Sequence, residues 1–169
     1  MTIAPRERRH GGATALAGLV VFVSAVAATA LAGVLLSPDT AQEYARLDQP
    51  DWAPPSWLFG PVWTTLYAMI ALAGWLVWRR FGWREARPAL SLFALQLLLN
   101  AAWSPLFFTL GLRGIAFADI VVLWVVLSAT IALFARLSRP AAWLLVPYWA
   151  WTTFAALLSF TMWRLNLGA

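Results

Sequence analysis

The chain has 169 residues, of which 62% are hydrophobic and only 11% are charged. That balance lies far from the norm of soluble domains and points to a membrane protein. There is no cysteine and a single histidine, His10, so disulfides, thiolate metal sites, thiol nucleophiles and histidine metal clusters are excluded by composition. All twelve basic residues are arginines and the net charge is +5, yet the arginines are spread over short loops. That dispersion gives no basic face for nucleic acid.

Residues 1–12 form a polar tail with Arg6, Arg8 and Arg9. Residues 13–36 are an apolar run of 24 residues. A positive start followed by Ala-x-Ala triplets (Ala28-Thr29-Ala30 and Ala30-Leu31-Ala32) has the form of a signal peptide. The run is nevertheless too long for a usual signal core and long enough to cross a bilayer of about 30 Å, so it reads as a retained membrane helix. Residues 37–57 are the longest loop, with Asp39, Glu43, Asp48 and Asp51 against Arg46. Four more apolar runs follow at about 58–78, 89–110, 115–135 and 141–163, each near the ~20 residues that a span needs. The short connections 79–88, 111–114 and 136–140 predict antiparallel neighbours in sequence order. No repeat or linker interrupts the chain. The expectation is an all-α membrane protein with one five-helix transmembrane domain over 13–169. Backbone groups in lipid must bond internally, which selects helices.

Orientation follows from arginine counts. The tail, the 79–88 loop and the 136–140 loop hold nine arginines, and the opposite side holds Arg46, Arg113 and Arg164. The positive-inside rule then predicts a multi-pass protein with a cytoplasmic N-terminus and an outward 37–57 loop.

The chain is organised around residues 50–67, which carry four prolines, three tryptophans and a tyrosine. Pro50, Pro54 and Pro55 forbid a helix interior there. Pro61 suits the first turn of a helix starting near residues 57–60, where its missing donor is not needed. Phe59, Trp63 and Tyr67 then fall at i, i+4 and i+8 on one face. A rigid aromatic loop therefore feeds into an aromatic helix face.

Within the spans, Gln96, Asn100 and Trp103 share a face of the third. Asp119 is the only acid inside a span, and it reads either as a functional group or as a packing residue bonded to Asn100, Gln96 or Arg113. Pro105 and Pro147 should each free a carbonyl, at Ala101 and Trp143, and kink a helix. The fifth span aligns Tyr148, Trp151, Ala155, Leu158 and Met162. An apolar pocket with few polar groups suits a flat, largely apolar ligand. Small residues at Ala13, Ala17, Ala25, Thr29 and Gly33 give the first span a surface for close helix approach, either in a homodimer or inside the bundle.

These motifs resemble the TSPO/MBR family (translocator protein / tryptophan-rich sensory protein, TspO), bacterial members included. The resemblance runs from about residue 13 to Asn166. It rests on Trp52-Ala53-Pro54-Pro55-Ser56-Trp57, Gly60-Pro61-Val62-Trp63-Thr64-Thr65-Leu66-Tyr67 and Gln96-Leu97-Leu98-Leu99-Asn100-Ala101-Ala102-Trp103-Ser104-Pro105. Asp119, Pro147-Tyr148, Trp151 and Trp163-Arg164-Leu165-Asn166 complete it. It implies a five-helix bundle, often a homodimer in membrane lipid, that acts as a sensory protein or receptor and binds porphyrins. Porphyrin or haem is thus the implied ligand, with no cofactor required. The implied pocket wall is Trp52, Phe59, Trp63, Tyr67, Asn100, Trp103, Trp151, Ala155 and Leu158, with Trp63 and Trp151 facing each other across the cavity. In some bacterial members these two tryptophans are implicated in light-dependent porphyrin breakdown. That would be tryptophan photo-oxidation chemistry and not conventional enzymology; transport of porphyrin or another lipophilic ligand is a further alternative. Ala101 stands where animal members carry a tryptophan, and Ser159 where an asparagine is common. Phe160 stands where the sterol motif needs a tyrosine, so the resemblance does not extend to sterol transport.

Overall fold

The computed structural model describes residues 12–167. The tail with Arg6, Arg8, Arg9 and His10 lies outside the described residues. Five helices are long and apolar enough to cross a membrane. They are α1 (Gly12–Leu36), α3 (Phe59–Glu85), α4 (Arg87–Ser104), α5 (Arg113–Leu137) and α6 (Arg139–Leu165). A short helix, α2 (Thr40–Arg46), lies in the first long loop, and a single 3-10 turn, Ser56–Leu58, leads into α3. Pro61 is the third residue of α3, in the first turn as its chemistry requires.

The spans close into a ring in the order α1, α3, α6, α5, α4, with α4 returning to α1. The α4–α5 and α5–α6 pairs pack side by side as expected, and only the α3–α4 pair departs from the expected hairpins. α3 and α4 are joined by Ala86 alone yet touch little, because α1 packs along both. Close approach makes that insertion possible. A Cβ on Gly18 would stand 1.8 Å from the Trp78 ring, and one on Gly74 would stand 2.7 Å from Phe22 and Phe93.

Two boundaries also differ from the sequence expectation. The arginine-rich connection 79–88 is mostly helical, since α3 runs on to Glu85 with a break at Gly82. Gly82 holds φ 73°, a conformation that glycine reaches without steric cost. Falling hydropathy marks where a helix leaves the hydrocarbon, and backbone hydrogen bonding continues past that point. In α4 the regular helix stops at Ser104, and Pro105–Thr109 forms a π-helical turn. Leu110 donates its N–H to the Pro105 carbonyl at 2.9 Å and Leu112 to that of Leu106 at 2.9 Å. The proline cannot donate to Ala101, and the wider turn takes up the mismatch that a bare kink would leave.

The interior has two parts. A large core joins Phe22, Ile70, Val77, Phe93, Leu127, Phe134, Leu145 and Tyr148. A smaller one at the α2 end joins Tyr44, Phe107, Ala116, Leu158 and Met162.

Candidate functional site

The site lies where the two cores meet, and α3, α4 and α6 supply it. Trp63 and Tyr67, one turn apart on α3, lie 5.1 Å centroid to centroid, and Trp63 meets the edge of Tyr148 at 6.0 Å. Phe59, one turn earlier, sets its edge on Trp151 of α6 at 5.9 Å and on Tyr44 of α2 at 5.3 Å. Trp151 packs on Phe154 at 5.4 Å, and Phe154 receives the edge of Trp52 at 5.9 Å. From α4, Trp103 stacks on Phe107 at 5.0 Å. Leu158 is buried below, with Ala155 one turn before it toward Trp151.

Three side chains form the polar centre of this apolar layer. The Tyr67 hydroxyl donates to Asn100 Oδ1 at 2.9 Å, and Asn100 Nδ2 donates to the Tyr148 hydroxyl at 2.9 Å. Tyr148 is fully buried. The bonds tie α3, α4 and α6 together at one depth. Low polarity strengthens them, and breaking them there costs more than it would in water.

A lid covers the layer. The Tyr44 hydroxyl donates to the Pro54 carbonyl at 2.7 Å, and Gln49 Nε2 donates to the Tyr44 carbonyl. Asn166, at the end of α6, accepts the Asp48 N–H at 3.0 Å and donates to the Asp48 carbonyl at 3.0 Å. This paired amide bond locks the loop onto the last helix. Burial pushes the Tyr44 phenol above its ordinary range.

Most of the predicted wall thus converges. Trp63 and Trp151 stand in the same layer but have different ring partners, Tyr67 and Tyr148 for the first, Phe59 and Phe154 for the second. Trp52 sits at the rim, half exposed, and Trp57 of the same motif is 70% exposed and stands outside the cluster. Tyr44, Tyr148 and Phe154 were absent from the predicted wall. Tyr148 and Phe154 share α6 with Trp151, and a tyrosine isolated in a polar loop was the available sign for Tyr44. The expected bonding of Asp119 to Asn100, Gln96 or Arg113 is corrected. Asn100 is taken by the two tyrosines. Asp119 Oδ2, both amide atoms of Gln96 and Arg113 Nε are buried without hydrogen-bond partners, as are Trp103 Nε1 and Ser159 Oγ. Among the described residues no group of three His, Cys, Asp or Glu side chains could hold a metal ion.

The profile of the TspO/MBR family matches residues 19–164. The chain belongs to the TspO/MBR family. A tryptophan-rich protein TspO from Chlorobaculum tepidum is 41% identical over 151 residues, covering 88% of this chain and 95% of the relative. A tryptophan-rich sensory protein from Cereibacter sphaeroides is 38% identical over 147 residues, covering 87% and 90%. The translocator protein of Ovis aries is 43% identical over 127 residues, covering 74% and 75%. With five long apolar helices, this TspO/MBR protein is a multi-pass integral membrane protein. The family match spans every element of the aromatic layer, from Trp52 at the rim to Leu158 beneath it.

Proposed function

We propose that this TspO/MBR protein binds a porphyrin in the aromatic layer, as a sensory or carrier step in tetrapyrrole handling. The observation that supports this most is the pair of ring groups that α3 and α6 supply, Trp63 with Tyr67 and Tyr148, and Phe59 with Trp151 and Phe154, the first built on the Tyr67–Asn100–Tyr148 bonds. Within each group the rings contact one another, so a flat ligand enters by exchanging ring–ring for ring–ligand contact at little cost in apolar area. Trp103 Nε1 is a spare donor at the edge of the layer for a ligand acceptor. Ala155 is the small residue that leaves width between Trp151 and Leu158.

A dark titration with protoporphyrin on the purified protein tests the reading. Trp63→Ala should weaken binding several-fold, since one stacked ring is worth on the order of 1 kcal/mol. Ala155→Phe should weaken it by filling the space. Unchanged affinity in both variants, each folded by its thermal melt, would remove the layer as the site. Illumination of the same samples separates binding from breakdown. Trp151→Phe keeps a ring and should retain most affinity, and it should lose bleaching if indole oxidation drives that chemistry.

A further inference from the structure

Away from the aromatic layer, α5 and α6 enclose a crevice of about 350 Å³ on the perimeter of the bundle. Phe117, Val121, Trp124, Leu157 and Phe160 line it. Val121, Leu157 and Phe160 are 41%, 61% and 43% exposed, so the crevice opens outward, where a membrane protein meets lipid. Its polar neighbours are consumed. Trp124 Nε1 donates to Thr153 Oγ1 at 2.8 Å, Thr153 donates to the Trp149 carbonyl at 2.8 Å, and Trp149 Nε1 donates to Ser128 Oγ at 2.9 Å. The crevice therefore offers hydrocarbon alone.

Further toward the start of α5 is a second crevice of about 430 Å³, lined by Gly111, Arg113, Gly114, Trp163 and Asn166 among others. Arg113 forms no ion pair among the described residues, and its Nε has no hydrogen-bond partner there. No acidic side chain lines this space. An aromatic bridge joins the two crevices, with Phe117 stacked on Trp163 at 6.0 Å and against Phe160 at 5.2 Å. Along α5, Arg113, Phe117, Val121 and Trp124 recur at i, i+4, i+8 and i+11, one stripe of the helix. At about 1.5 Å per residue the stripe is about 16 Å long. That is about half of a ~30 Å hydrocarbon core, the depth of one leaflet.

We propose that this α5–α6 face is a binding site for one anionic membrane phospholipid, with its phosphate at Arg113 and an acyl chain along Phe117, Val121 and Trp124. The unpartnered guanidinium meets a negative headgroup. No acid lines the second crevice to repel an anionic headgroup. The one-leaflet length of the apolar stripe fits a chain and not a free anion.

Native mass spectrometry of the full chain, titrated with phosphatidylglycerol or phosphatidylcholine, tests this. Phosphatidylglycerol should be retained in preference. Arg113→Gln should reduce that preference about fivefold, the weight of one cation at an anionic membrane surface, and Arg113→Lys should keep most of it. Val121→Trp fills the crevice on an exposed face and should weaken retention of both lipids. Leu98→Trp, on another exposed apolar position, should change nothing. Equal retention of the two lipids by the unsubstituted protein, a preference unchanged in Arg113→Gln, or retention unchanged in Val121→Trp would overturn the proposal. So would displacement of the lipid by inorganic phosphate alone, which would mark a simple anion site.

Discussion

Asn100 is the residue whose loss should be felt most. It is bonded to both Tyr67 and the buried Tyr148, so Asn100→Ala leaves the Tyr148 hydroxyl buried without its donor. An orphaned buried polar group costs about 1–3 kcal/mol. The variant should melt measurably lower, and Tyr67→Phe, which removes one bond at the edge of the network, should cost less. The glycines give a second contrast. Gly18→Ala must displace the Trp78 ring, and overpacking of this kind costs about 1–3 kcal/mol. Gly60→Ala meets nothing within 4 Å and should be neutral. A thermal melt of the two in the same detergent checks both. Helical spacing put Phe59, Trp63 and Tyr67 on one face and Asn100 and Trp151 on faces of other spans, and only the family resemblance implied that they line one site. That Asp119 Oδ2 is buried without a hydrogen-bond partner was not legible, because spacing assigns a face within a helix but not which helix stands opposite.

At the scale of elements, the lid is the part that pH and point changes should move. The ordinary Tyr44 pKa is 10.0, and burial raises it in the folded loop. When the loop detaches, its phenol loses the proton first. The closed loop is thus fully stabilised below about pH 10, and it weakens as pH rises from there toward the raised folded value. Amide exchange in residues 40–55 should accelerate over that range, and Tyr44→Phe should flatten the response. Asn166→Ala removes both bonds to Asp48 and should accelerate exchange in the same loop at neutral pH while the spans stay protected. The spans themselves were readable from apolar run length alone. Their ends were not, at Glu85 and Ser104, since a helix continues wherever its backbone bonds continue and apolar composition reports only the lipid. α2 escaped notice because seven residues in a polar loop carry too little periodicity to stand out.

The ring order of the whole molecule was the least legible feature. Short connections suggest sequential neighbours, and the fit of Gly18 against Trp78 of α3, with Phe22 against Gly74 of α3 and Phe93 of α4, places α1 between α3 and α4. Two proposals belong to this scale. The arginine asymmetry supports a cytoplasmic N-terminus. With no native cysteine in the chain, an impermeant thiol reagent should label a cysteine placed at exposed position 48 and not one at position 10 in whole cells. The reverse pattern would invert the topology. A homodimer is supported by the part of the α1 stripe at Ala17, Val21 and Ala25, which is exposed on the bundle surface, whereas Thr29 of the same stripe is buried within the bundle. Ala25→Leu and Gly33→Leu should shift the protein toward monomer in detergent, and a dimer intact in both would place the interface elsewhere.

The Asp48–Asn166 latch joins positions 118 residues apart. During synthesis the first loop emerges early, whereas its anchor is the last turn of the last span. The lid therefore has nothing to fasten to until insertion is complete. Nascent chains pass through a stage in which three faces of the aromatic layer are still being assembled and its roof is loose. If the layer takes a porphyrin as proposed, one supplied at that stage would be enclosed as α6 inserts, and later entry would wait for the loop to unlatch. Uptake during translation should accordingly be faster than uptake by the finished protein.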